Sequence, residues 1–239
     1  MDAFTRGQPA LLYHKIDWLK RGVRRRGLYM SPTLFRRQMQ ELRAAGFCSA
    51  KPGEAPSAGV ARSVVVTFDD GFWSVLENAV PVLHECGFRA MQFIVPGLLG
   101  KTNVWDQLDG ERPEPLMDAA GVREWLAAGH AIGAHTMTHP RLTCLPRAAA
   151  REEIVASRKA LEDEFQQSIR DFAYPFGDFD SLTRELVAEA GFERAWTVEP
   201  GVNDAQADPL TLLRYPAMVS LRRPTHLFRS IRWPFGRHR

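Results

Sequence analysis

Hydrophobic and polar residues form two kinds of run along this chain, and the two kinds alternate. Short apolar runs, several of them rich in β-branched residues, are typical of buried strands. They cover residues 10–14, 63–68, 89–95, 130–134, 171–175, 194–198 and 212–219. Runs with apolar residues at helical spacing lie between them, at residues 32–46, 73–87, 122–129, 147–165 and 181–191. Repeated strand-then-helix units predict a parallel sheet with helices on its outer side, either open and doubly wound or closed as a barrel.

Length and composition indicate one folded unit. The chain has 239 residues, of which 45% are hydrophobic and 25% charged, so enough apolar material is present for a core. Single α/β barrels commonly reach this length. We therefore expect one domain over residues 1–239, with a basic, aromatic tail over residues 221–239.

The charge of the chain is mildly basic and unevenly placed. A net charge of +3 is well short of the excess that marks a nucleic-acid binder, and no obligate protein partner is indicated. Basic residues gather at residues 20–26 and in the tail, where the ordinary interpretation is solvated surface. The tail also mixes arginines with apolar residues, which suits contact with an anionic membrane. Those apolar residues are Leu227, Phe228, Ile231, Trp233 and Phe235.

The cysteines and the absence of long apolar segments bear on location. Cys48, Cys86 and Cys144 are far apart and form no C-x-x-C pattern, so neither a disulfide framework nor a thiolate zinc site is indicated. No run approaches the ~18 apolar residues that span a bilayer, and residues 1–22 lack a signal-peptide core. We expect a cytoplasmic protein, placed at the inner face of the membrane if the tail binds lipid.

Polar residues stand where the predicted strands end, which is where such folds gather their chemistry. The segment TFDDG, by itself only a turn signature, places Asp69 and Asp70 after the second predicted strand. HTMTHP places His135 and His139 after another. Two histidines and one carboxylate are a common ligand set for a hydrolytic divalent ion. A helical HExxH zinc site is excluded because Thr136 stands where that motif needs glutamate.

These segments together resemble a known family. TFDDG, HTMTHP and FAYPFG, in this order, are similar to the motifs of the polysaccharide deacetylases, also called NodB-like or carbohydrate esterase family four. The resemblance extends over residues 9–219. It implies a distorted (β/α) barrel of about seven mostly parallel strands with outer helices. It also implies a divalent metal that serves to remove acyl groups from N-acetylated sugars.

The resemblance assigns roles to individual residues. Asp69 matches the general base, and Asp70, His135 and His139 match the metal ligands. Thr136 matches a hydroxyl residue that steadies the metal loop. The backbone amide of Phe176, within Pro175-Phe176-Gly177, matches the donor to the oxyanion. Zinc is the expected ion, with Co²⁺, Ni²⁺ or Fe²⁺ as alternatives.

The chain departs from the common family pattern at two points. Ala173 stands where an arginine beside the base is usual, and His226 lies in a basic segment where the proton-donating histidine would end an apolar strand. LLYHKI resembles instead the amino-terminal histidine motif of a permuted branch, which includes the poly-N-acetylglucosamine de-N-acetylases. His14 is therefore the expected general acid, with a packed core histidine as the alternative.

Residues outside the motifs complete the predicted site. Arg214 either replaces the charge lost at Ala173 or makes a surface or structural salt bridge. The loop after residues 89–95 is expected to contact substrate, although Trp105 could equally pack the loop. The predicted substrate-contacting residues are Asn103, Trp105, Asp106 and Pro175.

The expected function is metal-dependent removal of an N-acyl group from an amino sugar. Acetyl is expected and formyl is the alternative. The substrate is either a polymer or a lipid-linked saccharide in bacterial glycan biosynthesis. Two other functions stay open: a carbohydrate-binding member of the fold without turnover, and an amide or imide hydrolase that acts on a non-sugar molecule.

Overall fold

The computed structural model of the protein describes residues 7–50, 62–107 and 110–217. Its strands are β1 Gln8–Tyr13, β2 Lys15–Ile16, β3 Tyr29–Met30, β4 Cys48–Ser49, β5 Ser63–Phe68, β6 Met91–Ile94, β7 Ala131–Ala134, β8 Asp171–Ala173, β9 Arg194–Trp196, β10 Val202–Asn203 and β11 Tyr215–Pro216. Its α-helices are α1 Pro32–Ala44, α2 Trp73–Cys86, α3 Val104–Gln107, α4 Ala119–Ala127, α5 Arg147–Phe165 and α6 Ser181–Glu189.

One curled sheet organises the chain. Its strands run in the order β10-β1-β5-β6-β7-β8-β9, and β4 and β11 pair with β5 and β1 at its margins. The strands from β1 to β9 in this order are parallel to their neighbours, and only β10 is antiparallel to β1. Parallel pairing brings the carboxyl ends of these strands to one rim, where the site is built.

A single segment joins the two edges of this sheet. Leu212 forms a parallel bridge with Trp196 of β9, and four residues later Pro216 of β11 pairs with Leu12 of β1. The curl and this junction confirm the predicted distorted barrel with about seven mostly parallel strands. Helices pack outside it, and large side chains such as Phe35, Phe68 and Trp125 fill the space between helices and sheet.

Local sequence signals account for the best-defined helices. The Ser31 side chain accepts a hydrogen bond from the Leu34 amide, and Pro32 occupies the first turn of α1, where its missing N–H costs nothing. Asp180 caps α6 in a capping box with Thr183. The predicted helix over residues 147–165 coincides with α5.

The prediction differs from the structure in the short elements. The structure describes the strand predicted over residues 212–219 as far as residue 217, and in that part the strand is Tyr215–Pro216, because Leu212 forms the bridge to β9 and Leu213 bonds to Asn203. The two-residue strands β2, β3 and β4 were not predicted. The basic tail and His226 lie outside the described residues. Within the described residues, no helix is long and apolar enough to cross a membrane.

Candidate active site

Backbone hydrogen bonds between neighbouring strands bring the predicted site residues to one rim of the sheet. The Asp69 amide donates to the Tyr13 carbonyl at 3.0 Å, so His14 and Asp69 follow the ends of adjacent strands. The His135 amide donates to the Ile94 carbonyl at 2.9 Å, at the end of β6. Residues far apart in sequence therefore meet because parallel strands end together.

Asp70, His135 and His139 form the metal-ligand set that the resemblance implied. One ligand atom from each lies within 4.8 Å of the others, and all three side chains are buried. The Asp70 Oδ1 lies 3.3 Å from His135 Nε2 and 3.2 Å from His139 Nε2. Two ligands of a tetrahedral zinc ion, each about 2.0–2.1 Å from it, stand roughly 3.3 Å apart. The two separations between Asp70 and the histidines fit such an ion.

The proton positions on His135 also favour a cation at this place. His135 Nδ1 lies 2.8 Å from the Ala173 carbonyl, which only accepts, so Nδ1 carries the proton. Nε2 faces the Asp70 carboxylate, and the carboxylates of Asp70 and Asp69 outweigh burial and raise the pKa of His135. This place therefore attracts positive charge, either a proton or a metal ion, and the bond to Ala173 orients the ring as ligating histidines require.

The backbone around these ligands is strained. Asp70, Thr136, His139 and Phe176 all have a positive φ, and among the described residues only two further non-glycine residues share this conformation. Such conformations cost energy and cluster at functional sites. The Thr136 hydroxyl donates to the His135 carbonyl at 2.6 Å and accepts from the His139 amide at 3.0 Å. Thr136 thus ties the two histidines into one loop.

Arg214 pairs with Asp69 in the interior of the barrel. Its two terminal nitrogens donate to the two carboxylate oxygens at 2.6 and 2.8 Å, and its side chain is fully buried. Its Nε donates to the Thr197 carbonyl at 2.7 Å, which fixes the guanidinium plane. Burial rules out the surface salt bridge, and the position beside Asp69 is the one expected if Arg214 replaces the charge missing at Ala173.

This pair determines the protonation of Asp69. Burial by itself would raise the pKa of the Asp69 carboxyl. The charge and hydrogen bonds of Arg214, together with the charges of His135 and His14, outweigh burial and hold that pKa below its ordinary value. Asp69 is therefore ionised at neutral pH, the state in which a carboxylate can accept a proton.

His14 lies beside Asp69 at the wall of a cavity. It is partly exposed, and it lines a cavity of about 340 Å³ with Leu12, Leu28, Met30 and Pro216. Burial lowers the pKa of His14 below its ordinary value, and the charges of Asp70 and Asp69 offset only part of that effect. His14 is thus the predicted site residue that combines access to a cavity with closeness to both carboxylates.

The Pro175-Phe176-Gly177 turn closes another side of the site. The Phe176 ring meets the His139 ring edge-on with centroids 4.7 Å apart, and the Arg141 guanidinium lies 4.2 Å from the centroid of the Phe176 ring. Pro175, which was expected to contact substrate, is buried in this turn. Gly177 has φ +69°, and a Cβ there would stand 2.3 Å from Val198, so only glycine fits this turn.

The loop that carries Asn103, Trp105 and Asp106 lies over the metal-ligand set, but two of these side chains face inward. Asn103 is fully buried, donates to Asp106 at 2.9 Å and accepts from the Glu114 amide at 2.7 Å. Asp106 is also buried and pairs with Arg25 at 3.3 Å. Their polar atoms hold the loop together, which disagrees with the expectation that both contact substrate.

Trp105 is the member of this loop that reaches the site. Its ring stacks on His139 with centroids 4.1 Å apart and planes 23° from parallel. It is partly exposed, so the packing that was one alternative is present while some of the side chain still meets solvent. Trp105 forms a wall of the ligand set.

Three buried polar residues in the site were not predicted. Thr67 accepts from Arg214 at 3.2 Å, and Gln92 donates to the Asp69 carbonyl at 3.2 Å. Lys15 is 1% exposed, next to His14. The sequence did carry a signal for Lys15, because this lysine lies inside the apolar run LLYHKI. A lysine in such a run is expected to be buried, and buried lysines usually need a charged partner. Thr67 and Gln92 carried no comparable signal.

Comparisons with known proteins agree with this geometry. YxkH of Bacillus subtilis (strain 168) is 26% identical over 202 residues, which are 81% of this chain and 65% of that protein. A poly-beta-1,6-N-acetyl-D-glucosamine N-deacetylase of Staphylococcus aureus (strain MSSA476) is 26% identical over 162 residues, 64% of this chain and 54% of that protein. The chain thus matches less than two thirds of either relative's length.

A solved structure and a family profile complete the comparison. The structure of IcaB from Ammonifex degensii superposes with a TM-score of 0.78 at 23% identity, and covers 95% of this chain and 97% of that one. At 23% identity, this similarity shows that the two chains share a fold and says nothing more about function. The profile of the family described as polysaccharide deacetylase matches residues 57–195, more than half of the chain. The chain therefore belongs to the polysaccharide deacetylase family.

Proposed function

We propose that the protein is a metal-dependent hydrolase that removes an N-acetyl group from an amino sugar in a glycan. One observation carries the proposal. The three converging ligand atoms of Asp70, His135 and His139 lie beside Asp69, a carboxylate that Arg214 keeps ionised. A protein that only binds sugar needs no such base next to a metal site, and this favours turnover over the binding alternative.

The residues divide the reaction among themselves. Asp70, His135 and His139 would hold the divalent cation, with zinc expected, and the bound cation would polarise the amide carbonyl and acidify water. Asp69 would accept the proton of the attacking water. His14 would donate a proton to the departing amine, and the Phe176 amide would donate to the oxygen that becomes negative.

The substrate proposal rests on the relatives and on the cavity. One relative is named for deacetylating poly-beta-1,6-N-acetyl-D-glucosamine, and for the present chain we propose a saccharide that contains N-acetylglucosamine, either a polymer or a lipid-linked form. The cavity beside His14, about 340 Å³, is within the size range of small-molecule sites. It would receive the part of the substrate that carries the departing amine, because His14 must reach that nitrogen.

Amine release from defined oligosaccharides tests this function. The chain is stripped with a chelator, reloaded with Zn²⁺ and incubated with β-1,6-linked N-acetylglucosamine oligomers and with chitooligosaccharides. We expect metal-dependent appearance of free amine and of acetate in equal amounts. O-acetyl xylan and small cyclic imides, offered in parallel, identify the ester and imide alternatives. Binding of the oligomer without any amine release would support the non-catalytic alternative and contradict the proposal.

Location and membrane contact are a separate proposal. We propose that the protein works at the inner face of a membrane on a lipid-linked saccharide. The tail that led to this prediction lies outside the described residues. Two exposed apolar side chains, Trp18 at 59% and Leu19 at 47%, precede the basic run 20–26 and offer some support. We expect the protein to sediment with anionic vesicles but not with zwitterionic ones. Sedimentation with neither kind, or equally with both, would contradict the proposal.

A further inference from the structure

Lys15 is a buried amine that the reaction described above does not use. It is 1% exposed, and its Nζ has no hydrogen-bond partner among the described residues. An ammonium group removed from water is costly unless nearby charges or dipoles compensate. Its surroundings therefore decide what it does.

Two aromatic rings and a strand pairing fix the position of this amine. Nζ lies 4.5 Å from the centroid of the Phe72 ring and 4.8 Å from that of Tyr29. The faces of both rings attract a cation. Phe72 follows Asp70 by two residues in the same turn, and Tyr29 is the partner of Lys15 in the β2–β3 pair. The amine is thus held against the turn that carries a metal ligand.

Four carboxylates act on Lys15, and one differs from the rest. Burial lowers the pKa of Lys15 below its ordinary value, and the charges of Asp70, Asp106, Glu111 and Glu114 offset only part of that effect, Asp70 the largest part. The other three have cationic or amide partners of their own. Asp106 pairs with Arg25, Glu111 accepts from the amides of Arg24 and Arg25, and Glu114 accepts from Lys20. Asp70 has its two imidazoles, which are the other metal ligands.

We propose that Lys15 is a positioning residue for the metal centre, a fixed cation whose charge offsets part of the charge that Asp70 offers to the bound ion. Without metal, the amine balances the buried carboxylate. When metal is bound, the Lys15 amine repels the ion, and the ligands neutralise less of the positive charge of the ion. Lys15 therefore weakens metal binding and strengthens the pull of the bound ion on the substrate carbonyl. This inference rests on the metal site of the proposed function.

The test measures metal affinity apart from turnover. The full chain is stripped of metal, and the Kd for Zn²⁺ is measured by competition with a chromophoric chelator for wild type and for Lys15→Met. We expect the Kd to fall by about tenfold in Lys15→Met, with a lower kcat once the variant is loaded. A purely structural lysine would give the opposite sign for the Kd, because a distorted site binds metal more weakly.

Three further variants make the outcome decisive. Lys20→Met removes the same charge from an amine that pairs with Asp17 and Glu114, and its Kd should match wild type. Lys15→Gln repeats the measurement if methionine prevents folding, and Lys15→Arg should restore the wild-type Kd. An unchanged or higher Kd in folded Lys15→Met or Lys15→Gln would overturn the inference, as would a chain that folds only with a cation at this position. Absence of zinc binding in wild type would instead overturn the proposed function.

Discussion

Two buried arginine–aspartate pairs stand at opposite ends of the same sheet, and they differ in what surrounds them. Asp171 and Arg194 are the first residues of β8 and β9, and their two bonds measure 2.8 Å each. Asp69 and Arg214 make the same two-bond contact beside the carboxyl end of β5. The Trp196 indole donates to Asp171 and completes its shell, whereas Asp69 lies beside His14 and the metal ligands.

The comparison shows that a buried ion pair does not by itself indicate function. Both pairs satisfy the general requirement that a buried charge be neutralised. At the amino ends of β8 and β9, every polar side-chain atom of Asp171 and Arg194 has a hydrogen-bond or ion-pair partner within the protein. This pair therefore holds the two strands together. At the carboxyl end of β5, the pairing with Arg214 helps to keep Asp69 ionised next to His14, which is partly exposed and lines a cavity. Substitutions in each pair separate these two roles.

The largest effect is expected from the aspartates. Asp69→Asn should keep bound metal and lower kcat by roughly 1,000-fold, because the amide cannot accept the proton from water. Asp171→Asn is the matched control and should leave kcat of the folded protein unchanged. Steady-state kinetics on the oligosaccharide, with metal content measured in parallel, checks both. Normal turnover in Asp69→Asn would remove Asp69 from the reaction.

His14→Ala comes next and tests the proton donor. The variant should keep its metal and lose about 100-fold in kcat, the range for loss of a general acid. His226→Ala, in the tail, serves as the control and should have a mild effect. If the severe loss follows the tail histidine instead, the assignment of this chain to the permuted arrangement is wrong.

The arginines test the comparison directly. Arg214→Met should lower kcat by about tenfold and also destabilise the chain, since Asp69 stays buried without a partner. Arg194→Met should cost about 3 kcal/mol in the free energy of unfolding and leave kcat unchanged. Urea unfolding and kinetics on both variants give the answer. Equal loss of kcat in the two variants would mean that the pairs do not differ in role.

The smallest effect concerns His130, just before β7 at the amino end. Burial and the charge of Arg89 lower the pKa of His130 to about 4, against about 6.5 when unfolded. The unfolded chain then binds more protons between these values, so stability falls as the pH drops from about 6.5 toward 4. The expected loss from this residue at pH 5 is ~2 kcal/mol relative to neutral pH.

His130→Asn isolates the contribution of His130 to the pH dependence of stability. The asparagine oxygen can still accept the bond that the Ala90 amide gives to Nδ1, but the side chain does not titrate. Urea unfolding of both proteins at pH 5 and 7 should show a smaller difference for the variant, with kcat at neutral pH unaffected. An identical pH dependence in the two proteins would show that His130 is not the group responsible.

The sequence predicted the parts of the molecule that depend on local pattern. The limits of α5 and β5 follow from periodicity and β-branched runs, and Ser31-Pro32 marks the start of α1. The placement of Asp70, His135 and His139 at one rim follows from the strand-end rule. These features need no knowledge of distant contacts.

What could not be predicted depends on contacts between distant segments. No pattern in the sequence predicts that Arg214 contacts Asp69, which lies 145 positions away. A position of Arg214 on the surface was an equally good prediction. Asn103 and Asp106 looked like substrate contacts because they are polar, but each finds its partner within or beside the loop. Two-residue strands such as β2 and β3 are too short to show any period.

The most direct test of the account is a calorimetric titration of Zn²⁺ into the metal-stripped chain, repeated for His135→Ala and Arg194→Met. We expect one high-affinity zinc site per chain, lost in His135→Ala and retained in Arg194→Met. Because amine release depends on that ion, zinc should restore activity to wild type with the same stoichiometry. A chain that binds no zinc, or binds it as well after His135→Ala, would contradict the central claim that the carboxyl rim of the sheet is a metal-dependent deacetylase site.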